Sequence, residues 1–265
     1  MIKLIGTDFD GTLLDDNKKV STKNRKYLKK AKNNNIKVVG VTGRTLESVK
    51  NATDIELFDY LILNNGANIY DVDEKKSIFN NSISLDISEE ITKRFEERVY
   101  QFDYCTMSNY HLYKNYKDKK LPFIKEIKDV KEVVDPISKI NIFIENKNDL
   151  KDIYKELVEM NYDVKVSIMQ DSGKDKQWIV ITPNNLSKKE ALEFLGEYLN
   201  ISMEEIVFFG DGLNDVEVIA AVGVGVAMEN ALEEVKSKAK TITKSNNDSG
   251  IAYYIKEYIL KEKAE

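Results

Sequence analysis

A chain of 265 residues with 42% apolar and 32% charged side chains has the make-up of a soluble globular protein, enough for one large domain or two small ones. Its net charge of −5 speaks against general affinity for nucleic acid or anionic membranes, so an anionic substrate would need a local cation or a metal. The lone cysteine, Cys105, precludes an intrachain disulfide, Asp8 interrupts the first apolar run too early for a signal peptide, and no run approaches the ~18 apolar residues of a spanning helix. A cytoplasmic protein is expected.

In chain order, the pattern predicts a strand at Lys3–Thr7, a helix at Thr22–Asn34, a strand at Ile36–Val41, a helix at Leu46–Ala52 and a strand at Tyr60–Leu63. The middle reads differently. A helix at Ser88–Val99 precedes strands at Tyr104–Tyr113 and Ser138–Glu145, a helix at Asn148–Met160, and strands at Asp163–Met169 and Trp178–Thr182. Strands that follow one another without a crossover helix indicate an antiparallel α+β domain. Alternation then resumes: a helix at Lys188–Leu199 behind the capping box Ser187-Lys-Lys-Glu190, a strand at Ile206–Phe209, and a helix at Asp215–Ala221. A strand at Val222–Ala227, a helix at Ala231–Ala239, a strand at Thr241–Thr243 and a helix at Ile251–Lys261 complete the chain. The expected fold is α/β, a Rossmann-like, mostly parallel sheet core made of residues 1–82 and 184–265, with residues 83–183 as an inserted α+β domain.

In an open α/β sheet, ligands bind beyond the carboxyl ends of the strands. Here those ends carry Asp8-Phe-Asp10-Gly-Thr12, Thr42-Gly43-Arg44, Asn64-Asn-Gly-Ala67 and Gly210-Asp211-Gly-Leu-Asn214-Asp215. Turn formation explains Gly11 but not Asp8, which still belongs to the strand end. A calcium loop wants glycine at its sixth position and a glutamate at its twelfth, and neither acidic segment supplies them. Side chains alternate along an extended segment, so Asp8 and Asp10 can approach one ligand together. With Asp211 they could bind a hard cation such as Mg²⁺, leaving room for waters and a phosphate oxygen. The single histidine, His111, lies in the inserted domain, which argues against a serine triad or a multi-histidine zinc site; it reads as a surface or lining residue, and Cys105 as a small buried one. No P-loop and no GxGxxG after the first strand are present. Carboxylates remain as nucleophile and acid–base groups.

Seven segments, DFDGT (8–12), VTGR (41–44), NNGA (64–67), NLSKKEAL (185–192), GDGLND (210–215), GVAMENA (225–231) and SNNDSGIA (245–252), occur in the order found in the haloacid dehalogenase-like hydrolases. The sequence resembles the Cof-type phosphatases of that superfamily, which carry a large inserted α/β cap; the match spans nearly the whole core and reaches the cap only in size and pattern. Glu229 departs from it, standing where such proteins often have glycine.

The resemblance implies a Mg²⁺-dependent phosphatase acting on phosphate monoesters of small metabolites, sugar phosphates foremost, through an aspartyl-phosphate. Asp8 would be the nucleophile and Asp10 the acid–base group. Mg²⁺ would be held by Asp8, the Asp10 carbonyl and Asp211. Thr42, Gly43, Lys188 and Asn214 would bind phosphate. Asp215 would orient Lys188 or the metal waters, with a helix cap as the plainer alternative. Arg44 reads as a surface or hinge residue or a substrate contact, Asn64 and Asn65 as loop-shaping, and Asn247 and Asp248 as caps of the last helix. Tyr104, Tyr110, Tyr113 and Tyr116 are first of all packing residues, with substrate contact as the alternative. Competing functions are a sugar phosphomutase of related fold and a catalytically silent metabolite-binding regulator. A small phosphorylated metabolite is the expected partner, with no nucleic acid or membrane and a monomeric chain.

Overall fold

The computed structural model describes residues 1–114, 121–170, 177–184 and 186–261; Tyr116 and Asn185 lie outside them. Its strands are β1 (Leu4–Thr7), β2 (Lys37–Val41), β3 (Tyr60–Leu63), β4 (Asn68–Asp71), β5 (Lys76–Asn80), β6 (Gln101–Thr106), β7 (Tyr110–Tyr113), β8 (Ile124–Ile127), β9 (Ile137–Phe143), β10 (Val164–Gln170), β11 (Gln177–Pro183), β12 (Ile206–Gly210), β13 (Val224–Ala227) and β14 (Thr241–Ile242). The α-helices are α1 (Thr22–Asn33), α2 (Leu46–Ala52), α3 (Leu85–Phe95), α4 (Lys147–Glu159), α5 (Lys188–Leu199), α6 (Val216–Ala221), α7 (Glu233–Lys238) and α8 (Gly250–Tyr254). They form two compact units, one of residues 1–44, 49–79 and 187–265, the other of residues 45–48 and 80–186.

The first unit is built on an eight-stranded sheet ordered β14-β13-β12-β1-β2-β3-β4-β5. The strands from β14 to β3 are parallel, and β4 pairs antiparallel with β3. Parallel strands covered on both faces need unbroken apolar runs, and β1, β3 and β12 are buried at every position. Helices gather in two groups, α1 with α8 and α5 with α6 and α7. Leu28 and Ala31 of α1, Leu192 and Leu195 of α5, and Ile251 of α8 are buried; a fully buried aliphatic side chain of this kind stabilises by roughly 1.5–3 kcal/mol. β1 lies between β2 and β12, so the chain leaving Thr7 emerges mid-sheet, beside the ends of both neighbours.

The second unit is a six-stranded sheet ordered β10-β11-β9-β6-β7-β8, antiparallel except for the β7–β8 pair. Ile91 and Phe95 of α3 and Leu150, Ile153 and Leu157 of α4 share one core with Phe102, Tyr104, Ile140, Ile142, Ile179 and Ile181. The run expected as one strand over Tyr104–Tyr113 is a hairpin, β6 and β7, turned at Met107–Asn109 by Thr106 Oγ1, which accepts from Asn109 N at 3.1 Å. α3 starts three residues before the expected Ser88 because Ser84 caps it, accepting from Ile87 N. Tyr104 belongs to the core, stacked on Phe102, its hydroxyl 2.5 Å from Thr92 Oγ1. Tyr113 donates to Glu96.

His111 is neither surface nor lining. It is 3% exposed on β7, opposite Tyr104, and neither ring nitrogen has a hydrogen-bond partner among the described residues. Burial pushes its pKa below the ordinary value near 6.5, and Lys125 adds to this while Asp135 opposes it. Because the folded state holds fewer protons than the unfolded one, the stability linked to neutral His111 is complete above pH ~6.5 and is lost as pH falls below it. The only tryptophan, Trp178, lies on β11 of the same unit and reports on it. Urea denaturation followed by Trp178 fluorescence should therefore show a larger fall in midpoint from pH 7.5 to 5.5 for the wild type than for His111→Leu.

Candidate active site

β1 delivers Asp8, whose N–H donates to Phe209 O of β12 at 2.9 Å. Phe9 turns into the core, fully buried, and the chain then winds through one helical turn in which Leu13 N donates to Asp8 O and Leu14 N to Phe9 O. Gly11 makes that turn possible with φ +83°, and a Cβ there would run into the Asp211 carboxylate. Thr12 Oγ1 donates to Asp211 Oδ1 at 2.6 Å, tying the loop after β1 to the loop after β12. Asn230 Nδ2 donates to Gly11 O, and Asn246 Nδ2 donates to Leu14 O. Asn247 does not cap a helix: it clasps Asp16, while Ser249 stands at the α8 N-cap.

Lys188, at the start of α5, is 1% exposed. Its Nζ donates to Asp8 Oδ1 at 2.6 Å and to Asp215 Oδ1 at 2.7 Å. The other Asp215 oxygen accepts the N–H groups of Asp211 (3.1 Å) and Gly212 (3.0 Å). Asp215 thus fixes both the lysine and the loop that presents Asp211. The start of α5 is positioned by the turn after β3: Gly66, at φ +113°, lies so close that a Cβ would strike Ser187 O.

Among the described residues, Lys188 is the cation bonded to Asp8 and Asp215, two of the three acids Asp8, Asp211 and Asp215. Burial opposes the Lys188 charge, but Asp8 and Asp215 outweigh it and hold the ammonium above its ordinary range. Burial pushes Asp8 up to about 7 despite Lys188, with repulsion from Asp215 and Asp211 contributing. Asp211 is pushed up to about 6, chiefly by burial, with Thr12 opposing and Asp215 reinforcing the rise. Asp8, Asp211 and Asp215 offer carboxylate oxygens within 4.8 Å of one another. The Asp8 and Asp211 oxygens not taken by Lys188 and Thr12 are hard donors. The set fits a small divalent cation.

Asp10 is separate from this group. Arg44 grips its carboxylate with two bonds, Nε to Oδ2 and Nη2 to Oδ1, both 2.7 Å, and Lys18 Nζ donates to Oδ1 at 2.9 Å. Burial alone would raise its pKa, but these cations outweigh it and hold Asp10 at about 2. Thr42, 1% exposed, follows β2, and its hydroxyl accepts from Arg44 N at 3.2 Å. Gly43 lies against Asn65, and Asn65 Oδ1 accepts from Asn214 Nδ2 at 3.2 Å. Asn64 and Asn65 both adopt positive φ (50° and 58°), a conformation asparagine tolerates better than most residues. Residues after β1, β2, β3 and β12 and at the start of α5 thus meet at one end of the sheet, as the spacing implies. One contributor escaped sequence reasoning: Lys18 sits in a polar turn that nothing marks. The bond from Lys188 to Asp215 is one of the alternatives the resemblance implied for Asp215.

Residues 5–255 match the family model described as haloacid dehalogenase-like hydrolase. The 5-amino-6-(5-phospho-D-ribitylamino)uracil phosphatase YcsE of Bacillus subtilis (strain 168) is 29% identical over 271 residues, covering 98% of this chain and 96% of that protein. Among solved structures, a Thermotoga maritima protein superposes with a TM-score of 0.81 at 29% identity, covering 97% of each chain. A haloacid dehalogenase-like hydrolase from B. subtilis gives 0.79 at 27%, covering 97% of this chain and all (100%) of the other.

Proposed function

The chain belongs to the haloacid dehalogenase-like hydrolase family and is a phosphoric monoester hydrolase, and on that premise we propose that it is a Mg²⁺-dependent phosphatase of small sugar or sugar-alcohol phosphates. The observation that carries this reading is the buried Lys188 joining Asp8 to Asp215 beside Asp211. The ribityl phosphate in the name of the B. subtilis relative supports the substrate class.

Asp8, the Asp10 carbonyl and Asp211 would hold Mg²⁺, which when bound would offset repulsion between carboxylate and phosphate. Thr42, the Gly43 N–H, Lys188 and Asn214 bind the phosphoryl oxygens. An Asp8 carboxylate oxygen attacks phosphorus while the bond to the leaving oxygen breaks, and Asp10, which must first leave the Arg44 and Lys18 cations that hold it ionised and take up a proton, gives that oxygen the proton. In the second half, Asp10 takes a proton from water. The resulting hydroxide attacks phosphorus, and Asp8 is released with its charge restored. Positioning and charge stabilisation carry most of the acceleration in phosphoryl transfer, which accounts for so many buried polar groups around one carboxylate. Residues 83–183 are assigned as the cap. A cytoplasmic monomer is the accompanying proposal; among the described residues no helix is long and apolar enough to cross a membrane.

The test is phosphate release from a panel of sugar, polyol and nucleotide-related monophosphates, with Mg²⁺ and with EDTA. Release from several polyol or sugar esters, falling about 100-fold or more on chelation as an electrostatic contribution of several kcal/mol requires, is the expected result. No release from any ester, or rates indifferent to EDTA, would overturn the reading.

A further inference from the structure

Helix α1 is charged in a way that the fold does not account for. Its 12 residues carry Lys23, Arg25, Lys26, Lys29, Lys30 and Lys32 and no acid, in a chain whose net charge is −5. Like charges four apart, such as Lys26 and Lys30, destabilise a helix, and cations near its first turn oppose its dipole. Part of this cluster lines a groove of about 500 Å³. Lys23, Lys26 and Tyr27 of α1 face it, with Lys244 from the loop before α8, Tyr253 of α8 and Lys256 just beyond. The two acids that also line the groove are engaged by their own neighbours. Asp248 accepts from Ser245 Oγ at 2.6 Å, and Glu257 pairs with Lys256 at 3.1 Å. Among the described residues, Lys23, Lys26 and Lys244 form no ion pair.

The walls of the groove are fixed. The hydroxyls of Ser21 and Ser249, the N-caps of α1 and α8, share a hydrogen bond of 2.8 Å, and Ala252 N donates to Asn24 Oδ1 at 3.0 Å. Asn246 anchors the loop that carries Lys244: its N donates to Asn230 Oδ1 and its Nδ2 to Leu14 O, both at 3.0 Å. Lys244 Nζ stands 4.5 Å from the centre of the Tyr253 ring, and Lys26 Nζ stands 5.8 Å from that of Tyr27. Cation–π attraction to these rings holds the ammoniums at the groove. Charges preset on fixed walls lower the ordering cost of binding an anion. Lysine ammoniums act as point charges on phosphate oxygens, whereas a carboxylate is matched by the planar fork of arginine, and no arginine lines this groove among the described residues. We propose that the groove is a binding site for a small oligophosphate, whose successive phosphoryl groups meet Lys23, Lys26 and Lys244. It is separate from Asp8, Lys188 and Asp215, none of which lines it, and it does not depend on the phosphatase reading.

Isothermal titration calorimetry of the full chain, at low salt and with EDTA present, measures binding of inorganic tripolyphosphate, ATP, inorganic phosphate and citrate. Tripolyphosphate should bind, and more weakly as salt is raised. Inorganic phosphate should bind about 10-fold more weakly or worse, because it meets fewer ammoniums, and citrate likewise, because its carboxylates find no arginine fork. Lys26→Glu and Lys244→Glu should each weaken tripolyphosphate by about 10-fold or more, the size of one charge-assisted hydrogen bond. Both lysines are exposed, so these variants should melt at the wild-type temperature, which circular dichroism checks. ATP separates the two sources of such a ligand. Binding as tight as that of tripolyphosphate assigns the groove to a nucleoside triphosphate, and weaker binding assigns it to the free phosphate chain. Three results would each overturn the proposal: no binding of tripolyphosphate by the wild type, equal binding of inorganic phosphate or citrate, or tripolyphosphate binding that both charge reversals leave unchanged. The last would place the anion elsewhere on the chain.

Discussion

Asp8→Asn should lower kcat/KM for any accepted phosphate ester by at least about 10⁴-fold, on the order of what removal of a covalent nucleophile costs other hydrolases. An amide keeps the shape of the carboxylate and can still accept from Lys188, which bonds Oδ1. It has no charge with which to attack phosphorus. The same substitution should leave the metal-free protein as stable as the wild type or more so, because Asp8 shares a buried site with Asp211 and Asp215 and is pushed up to about 7. Loss of activity with a retained or raised melting temperature is the pattern expected where charge is concentrated for function at the expense of stability. Acid-quenched wild-type enzyme should yield a phosphorylated peptide containing Asp8, detectable by mass spectrometry, and the variant should not. A variant that turns over at the wild-type rate would show that another group attacks.

Lys188→Met should have the largest effect on stability. The ammonium is 1% exposed and is bonded to Asp8 and Asp215. Removing one partner of a buried ion pair typically costs about 3–5 kcal/mol, because the remaining charge is left uncompensated. For a unit of this size each kcal/mol lowers the melting temperature by about 2–4 °C, so a fall of ~6–20 °C is expected. The variant can relieve the cost by protonating Asp8, whose pKa already lies high and would rise further without the lysine. A carboxyl raised in the folded state contributes most at low pH and loses that contribution as pH rises through the folded pKa. The gap between variant and wild type should therefore widen from pH 6 to pH 8. Lys188→Met combined with Asp215→Asn should recover part of the loss, and circular dichroism melts at the two pH values measure all of this. Activity should fall together with stability, since the same ammonium is assigned to phosphate.

The core was legible because its parallel strands must be apolar throughout, and the acids Asp8 and Asp211 follow such runs directly. β4 and β5 were missed because an edge hairpin of the kind Asn68–Asn80 forms is half polar, with Lys76 and Ser77 exposed, and lacks the continuous hydrophobic signal. The turn between β6 and β7 contains neither glycine nor proline, so the pattern read through it. The final helix, expected to Lys261, is α-helical only to Tyr254 and continues as a π-turn over Ile255–Ile259; hydrophobic periodicity does not distinguish the two. At the site, the sequence carried residue types at strand ends but not pairings. Nothing in the spacing said that Arg44 would turn to Asp10, and the pairing of Lys188 with Asp215 came from the family resemblance and not from spacing, because both depend on how loops after different strands converge.

The central position of β1 also bears on how the chain is made. One of its edges pairs with β2, residues 37–41, almost at once; the other waits for β12, residues 206–210. At ~5–20 residues per second that edge stays unpaired for on the order of 10–40 s of synthesis. Throughout that interval the nascent chain displays an apolar strand carrying Leu4 and Ile5, a template for pairing with the wrong neighbour. Until β12, the strand that both completes the sheet and brings Asp211 to Asp8, has emerged, that edge has no native partner.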